Sequence, residues 1–305
     1  MTSSFDMTSS FDRDAFFARS LLTMSVTELD DDQRWSTWPE TAHTLDRGPQ
    51  PFPDWVVQHD GAIDTELGVL KTGKEADAFL LERALPAEHR TGAAGEATLL
   101  VAKRYRSPEH SSFHRSHRYT EGRRGTDSRE ARAVAKGTAF GRQVAAAQWA
   151  RAEFDVLGQL FSAGLPVPYP VQIVGTEVCM EFIGTDDADG AFAAPRLQET
   201  GPSPEQAEHW ARTLREVVLG FAELGLVHGD LSPYNILIDS RRQGAEPVII
   251  DVPQVIDLIG NPNGPEFLRR DCQNVCTWLR ANGASDAAAD PQEWNEAALG
   301  TWQVP

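Results

Sequence analysis

A chain of 305 residues, 41% hydrophobic and 24% charged, has the size and composition of a globular protein with one large unit or two lobes around a cleft, which excludes a short binding module and gross disorder. Its net charge of −17 excludes nonspecific nucleic-acid binding by the whole surface, because phosphate backbones attract Lys and Arg. The charge is uneven: residues 103–151 hold 12 basic against 4 acidic side chains, net +8, so a basic insert interrupts an acidic protein whose remainder carries −25.

The chain opens on a direct repeat, MTSSFD at Met1 and Met7, too short to be architectural. Asp6, Asp12 and Asp14 stand where a signal peptide would carry positive charge, so no targeting segment is expected. Polar residues, the Asp30–Asp32 run and GPQPFP at 48–53 make residues 1–53 read as a loosely ordered extension. Strand-like runs follow at 62–70, 76–82 and 98–105, separated by turn residues, and predict an antiparallel meander. The basic insert, about 106–141, shows no sustained periodicity and reads as a loop. An Ala-rich helix is expected over 142–163, stopped by Gly164 and LPVPYP. Two short strands, VQIVG and VCMEFIG, come next. Ser203, Pro204 and Gln206 then form a capping-box start, and Ala207, Trp210, Leu214, Val217, Phe221 and Leu224 make one apolar stripe before Gly225. Two apolar strands enclose a polar loop in LVHGDLSPYNILI and VIIDVPQ, and a last helix is expected over 265–282. The odd set of cysteines, Cys179, Cys272 and Cys276, builds no disulfide framework and points to a reducing, cytoplasmic location. No stretch approaches the ~20 apolar residues of a membrane helix, so no membrane partner is expected.

The chemistry is concentrated in HGDLSPYNILI and VIID. Asp230 and Asn235 have the D-x-x-x-x-N spacing that sets a catalytic carboxylate and a magnesium-binding amide on one loop. Asp251 supplies a second metal oxygen, and one amide with one carboxylate is enough where phosphates and water complete the shell. Asp230 is then free to accept a proton from an attacking hydroxyl. Upstream, Lys103 in VAKRY has the setting of a strand lysine that pairs nucleotide phosphates, and Glu153 on the following helix is its candidate partner. GVLKTGKEA approaches a Walker A loop through Gly68, Gly73 and Lys74, but Glu75 replaces the magnesium-binding hydroxyl and a strand follows. A P-loop fold is rejected; a turn with exposed amides can still cover phosphates.

TGKEAD, VAKRYR, the helix from Trp149, AGLPVPYPV, VCMEFIG, LVHGDLSPYNILI, IIDVPQ and EFLRRDCQNV, in that order over about 57–283, resemble the motifs of the RIO family of atypical serine kinases, here as a bacterial member. The resemblance implies an α+β, bilobal protein-kinase-like fold with a compact C-lobe, ATP and Mg²⁺ as cofactors with Mn²⁺ as an alternative, and serine/threonine kinase or ATPase activity. By it, Thr72, Gly73, Lys74 and Glu75 form the phosphate-binding loop and Lys103 is the phosphate lysine. Residues 180–183, with Glu181 and Ile183, hold adenine; Asp230 is catalytic, and Asn235 and Asp251 bind metal. It also implies Asp251 as a phospho-acceptor in members that act mainly as ATPases. Lys71 before TGKEA and Pro253 in IIDVPQ depart from the family's usual Ser.

The expected division is an N-lobe over 54–180 and a C-lobe over 181–305. Only 54 residues follow Asp251, so no conventional peptide groove is expected, and Gly229 in place of the HRD arginine argues against an activation-loop phosphoswitch. The basic insert, with Phe113, Tyr119 and His89, His110, His114 and His117 nearby, reads first as a solvated loop and second as a contact for RNA or an acidic partner. His114 and His117 lack convincing partners for zinc, and Cys272 and Cys276 read as buried helix residues. Two other functions compete: a small-molecule phosphotransferase of the aminoglycoside or choline kinase type, which shares HGDL and NIL but lacks TGKEA, and an ATP-gated binding module. The protein substrate or assembly is not named by these residues.

Overall fold

In the computed structural model, which describes residues 29–106, 139–188, 190–242 and 244–301, the apolar runs of the first half form one six-stranded antiparallel sheet. Its strands are β1 (Gln33–Trp35), β2 (Ile63–Thr72), β3 (Ala76–Ala84), β4 (Ala97–Tyr105), β5 (Pro170–Val174) and β6 (Glu177–Glu181), ordered β1-β2-β3-β4-β6-β5. The expected meander is present as β2 to β4. β3 and β4 pair without interruption from Ala76↔Tyr105 to Ala84↔Ala97, so alternate residues separate onto two faces. The inner face carries Ala78, Val101, Lys103 and Tyr105, with Val178 and Met180 of β6. It packs against helix α1 (Ala139–Ser162) through Ala146, Ala150 and Phe154. Helix α1 starts three residues before the expected position. It ends as expected at Gly164, whose φ of +79° allows the paired closing bonds from Leu165 N to Leu160 O (3.1 Å) and Gly164 N to Phe161 O (2.9 Å).

The outer face corrects the reading of 1–53 as a loosely ordered extension. From residue 29 onward that segment is built onto the sheet: β1 pairs with β2, and Trp38, Phe52, Trp55 and Val56 cover Phe79, Leu81, Leu100, Ala102 and Cys179. Trp38 is 2% exposed, meets Phe52 edge-on at 5.3 Å, and is capped by the Arg47 guanidinium at 3.8 Å. Polar composition hid this because the few aromatic residues doing the packing follow neither strand nor helix periodicity. Beneath them lies an ion pair with no exposure on either side chain: Arg83 binds Asp64 through Nε–Oδ1 at 2.6 Å and a second nitrogen at 2.9 Å, and also donates to Gln172 (2.8 Å). The repeat at Met1 and Met7 lies outside the described residues, as does the basic insert over 107–138.

The second lobe is mainly helical. Hairpin β7 (Gly184–Asp187) and β8 (Gly190–Ala193) leads to α2 (Pro204–Glu223), then β9 (Leu226–Val227), β10 (Ile236–Asp239), β11 (Glu246–Ile249), β12 (Ile256–Asp257) and α3 (Gly264–Ala281). The capping box forms as expected: Gln206 N donates to Ser203 Oγ (3.3 Å), and Ser203 N to Gln206 Oε1 (3.0 Å). The apolar stripe of α2 is buried against α3 and its neighbours. Helix α3 is not the last element, however, because α4 (Pro291–Gly300) follows it. Asp290 caps α4 by accepting from Gln292 N (2.9 Å) and Glu293 N (3.3 Å). Its stripe is mostly alanine around one buried Trp294, too weak a period to read in advance. Among the described residues no helix is long and apolar enough to cross a membrane. The described part of the chain is thus an α+β protein with two lobes, a sheet-and-helix lobe over a mainly helical one.

Candidate active site

Lys103 is fixed by strand pairing on both sides, opposite Ala78 of β3 and Val178 of β6. Its ammonium reaches across to both lobes, 2.6 Å from Glu153 Oε1 on α1 and 2.9 Å from Asp251 Oδ1 after β11. Glu153 is buried because its neighbours Ala150, Phe154 and Leu157 pack into the core, and its second oxygen accepts from the Tyr105 hydroxyl. Burial works against the charged lysine, but Glu153 and Asp251 outweigh it and hold the Lys103 pKa well above its ordinary value. Asp251 is shifted the other way: the Lys103 charge, against the effect of burial, holds its carboxyl below the ordinary range.

Antiparallel pairing of β10 with β11, Ile236↔Ile249, brings the residues at their ends together, and Ile250 N donates to Asn235 O at 3.0 Å. Sequence positions 235 and 251 thereby become neighbours. The Asn235 amide nitrogen donates to Asp230 O (2.9 Å), which leaves its Oδ1 as a hard oxygen donor. Asp251 has φ +65°, an uncommon backbone state for a residue with a Cβ and one that gathers at functional sites. An amide oxygen and a carboxylate oxygen, with no third protein carboxylate required, suit a Mg²⁺ ion that keeps part of its shell for water and phosphate.

The loop carrying Asp230 is held from below. Asp271 on α3 is buried and accepts from Gly229 N (2.7 Å) and Leu231 N (2.9 Å). Arg270 donates to Gly229 O, and Asn274 to Leu231 O at 3.2 Å. Gly229, at φ +83°, makes the turn that a side chain would strain. Buried His228 has its pKa lowered by burial; its Nδ1 accepts from Asp230 N (3.3 Å) while Nε2 faces Ile250 O (3.2 Å). The neutral ring with the proton on Nε2 satisfies both contacts. Asp230 itself is open to solvent and no group among the described residues bonds its carboxylate; partial desolvation in the cleft, with Asp251 adding to it against His228 and Arg270, raises its pKa.

The remaining expected residues fall into two groups. In the β2–β3 turn, Gly73 N donates to Ala76 O (2.9 Å), while the Lys74 and Glu75 amides have no acceptor among the described residues. Glu75 has its pKa raised by desolvation and by Asp251, so it faces the cleft. Thr72 does not present its side chain there: it pairs with Asp77 on the outer face, and its hydroxyl bonds that carboxylate. At the junction of the lobes, the Glu181 carboxylate is taken by Arg241 (2.9 Å) and by Tyr169 N (3.2 Å), and Ile183 is buried with its carbonyl accepting from Ala194 N (2.9 Å). What these two can offer a planar base is main chain, not side chain.

A RIO domain family model matches residues 91–292, which is most of the chain and includes Lys103, Glu153, Asp230, Asn235 and Asp251. The chain belongs to the RIO kinase family. It is 34% identical over 231 residues to the RIO-type serine/threonine-protein kinase Rio1 of Haloferax volcanii, covering 76% of this chain and 68% of that one. Identity to serine/threonine-protein kinase RIO1 of Caenorhabditis elegans is 31% over 217 residues, 71% of this chain and 37% of the other. Human serine/threonine-protein kinase RIO3 matches at 34% over 148 residues, 48% of this chain and 27% of that protein. Among solved structures, the Rio2 kinase of Chaetomium thermophilum in complex with ADP, Mg²⁺ and phosphoaspartate aligns with a TM-score of 0.48 at 20% identity, over 79% of this chain and 67% of that one.

Three further residues of the candidate site, Tyr105, Arg270 and Asp271, have no motif of their own in the sequence. Tyr105, whose hydroxyl donates to Glu153, carries no spacing that sets it apart from a strand tyrosine that only packs. Asp271 and Arg270 lie within EFLRRDCQNV, and the signal for Asp271 is a carboxylate set among Phe267, Leu268, Cys272 and Val275 on one buried helix stripe.

Proposed function

We propose that this chain binds ATP and Mg²⁺ in the cleft between its lobes and transfers the terminal phosphoryl group to a serine or threonine hydroxyl or to water. The observation that carries the reading is the single ion-paired network in which Lys103 of the sheet lobe bonds Glu153 and Asp251, with Asn235 and Asp230 on the adjoining loop. Lys103 is held charged and aimed for phosphate oxygens by Glu153. The Lys74 and Glu75 amides cover the phosphates from above. The Glu181 carbonyl and Ile183 amide receive the adenine edge. Asn235 Oδ1 and Asp251 would hold Mg²⁺, which supplies charge neutralisation along the phosphates. Asp230, with its free carboxylate, accepts the proton of the attacking hydroxyl, and Asp271 keeps it in place.

Asp251 as transient phospho-acceptor is the second reading, favoured by a side chain that stays 36% exposed to the cleft while one oxygen is tied to Lys103. Turnover of γ-labelled ATP with and without Mg²⁺ tests both, following free phosphate, a generic protein substrate and the chain itself. Label on serine or threonine supports the kinase. Acid-stable but hydroxylamine-labile label on the chain, with free phosphate accumulating, supports the aspartyl route. No magnesium-dependent turnover refutes both.

A further inference from the structure

Lys71 stands opposite Ala78 in the β2–β3 pairing, and Ala78 stands opposite Lys103 in the β3–β4 pairing. Directly opposed residues point to the same face, so Lys71 and Lys103 lie in one row on the inner face, two strand spacings or about 9–10 Å apart, with only an alanine between them. A regular β2 would not do this. Val69 pairs with Phe79 and Lys71 with Ala78, so Leu70 is an extra residue in a bulge that reverses the alternation. Without the bulge Lys71 would share the outer face with Phe79.

From the other lobe comes Arg196. Its backbone bridges to Leu237, two residues past Asn235, and Ile238 N donates to Pro195 O at 2.9 Å, which ties it to the strand leaving the loop of Asp230 and Asn235. Desolvation lowers the Lys71 pKa, and the Arg196 charge lowers it further while Asp251 opposes, so the two cations sense each other and Asp251 across the cleft. Among the described residues neither side-chain cation forms an ion pair, and the Glu199 carboxylate beside Arg196 is taken by the Arg196 main-chain N at 3.0 Å. Two cations with no ion pair of their own, one on the inner face of the sheet lobe and one tied to the strand leaving the loop of Asp230 and Asn235, lie within electrostatic reach of each other beside Asp251.

We propose that Lys71 and Arg196 form a second cation site for the terminal phosphate of a nucleoside triphosphate, one from each lobe, on the far side of the phosphates from Lys103. The assignment rests on the ATP reading above and adds to it a preference for triphosphate over diphosphate. Lys103 serves the inner phosphates in either nucleotide, whereas Lys71 and Arg196 meet the group that only ATP carries.

The test is calorimetric titration of Mg·ATP and Mg·ADP into the full chain and into Lys71→Ser, Lys71→Arg and Arg196→Gln, with thermal unfolding of each variant. Lys71→Ser and Arg196→Gln are expected to weaken ATP binding by about tenfold or more, as for loss of a charge-assisted bond, and ADP binding by less than about twofold. Lys71→Arg should stay within about threefold of the parent because it keeps the charge. Equal losses for ATP and ADP, or no loss for ATP, would overturn the assignment while leaving the nucleotide site standing. A parent chain that binds neither nucleotide would overturn the ATP reading itself, and this site with it. A fold lost in Lys71→Ser but kept in Arg196→Gln leaves the second variant to decide.

Discussion

Replacing Glu153 by Gln changes one charge and almost no shape, at the point where the two lobes share an ion pair. Glu153 is 1% exposed and lies 2.6 Å from the Lys103 ammonium. Breaking a buried pair by removing one partner costs about 3–5 kcal/mol, but Lys103 keeps Asp251 at 2.9 Å and is itself 17% exposed, so about 2 kcal/mol is the expected loss. The Gln oxygen can still accept from Tyr105, which limits the damage to the charge. Lys103 would then lean on Asp251 alone, drawing that carboxylate away from its proposed place beside Mg²⁺, and misplacement on that scale costs about 10²-fold in turnover. Urea unfolding at neutral pH and ATP turnover across a range of Mg²⁺ concentrations measure the two effects. Stability within about 0.5 kcal/mol of the parent together with unchanged turnover would refute the account of the pair.

Other substitutions probe the supports of the site. Asp64→Ala leaves Arg83 charged and wholly buried, and should cost about 3–5 kcal/mol in urea unfolding; a loss below about 1 kcal/mol would mean that the pair is dispensable. Trp38→Ala should cost about 3–5 kcal/mol and speed proteolysis between residues 29 and 56, because it empties the centre of the outer-face core. Asp271 has its pKa pushed up to about 7 by burial, against an ordinary 3.8, despite the two amides it accepts from. The folded chain therefore keeps a proton that the unfolded chain has released, and this group's contribution to stability falls as pH rises through that window, by up to roughly 4 kcal/mol. Asp271→Asn removes the titration and one of the two loop bonds, so its stability relative to the parent should improve from pH 4 to 7 while turnover drops; a pH-independent difference would count against the assignment.

The motifs were legible because each is a local spacing whose meaning survives folding: Asp230 to Asn235 on one turn, Lys103 within a strand, Ser203 to Gln206 at a helix start. Glu153 was legible only by order along the chain, and the structure supplies what order could not, a 2.6 Å contact. The outer-face segment was not legible, since Trp38, Phe52 and Trp55 pack as individuals on a surface made by distant strands. Nor was the direction of Thr72 and Lys71. One extra residue at Leu70 exchanges the faces of everything after it, and a bulge leaves no trace in polarity when the residues around it are exposed. Asp271 was hidden for the opposite reason, because its partners are backbone amides of a loop forty residues away and backbone has no sequence signature.

Comparing Asp230→Asn with Asp251→Asn for Mg²⁺-dependent ATP binding and for turnover, in the same preparations, separates proton transfer from metal binding. Asp230→Asn is expected to bind Mg·ATP within about threefold of the parent but to turn over at least ~10²-fold more slowly, whereas Asp251→Asn loses the magnesium dependence of binding as well. Turnover by Asp230→Asn at the parent rate, or magnesium-dependent binding unchanged in Asp251→Asn, would contradict these two roles.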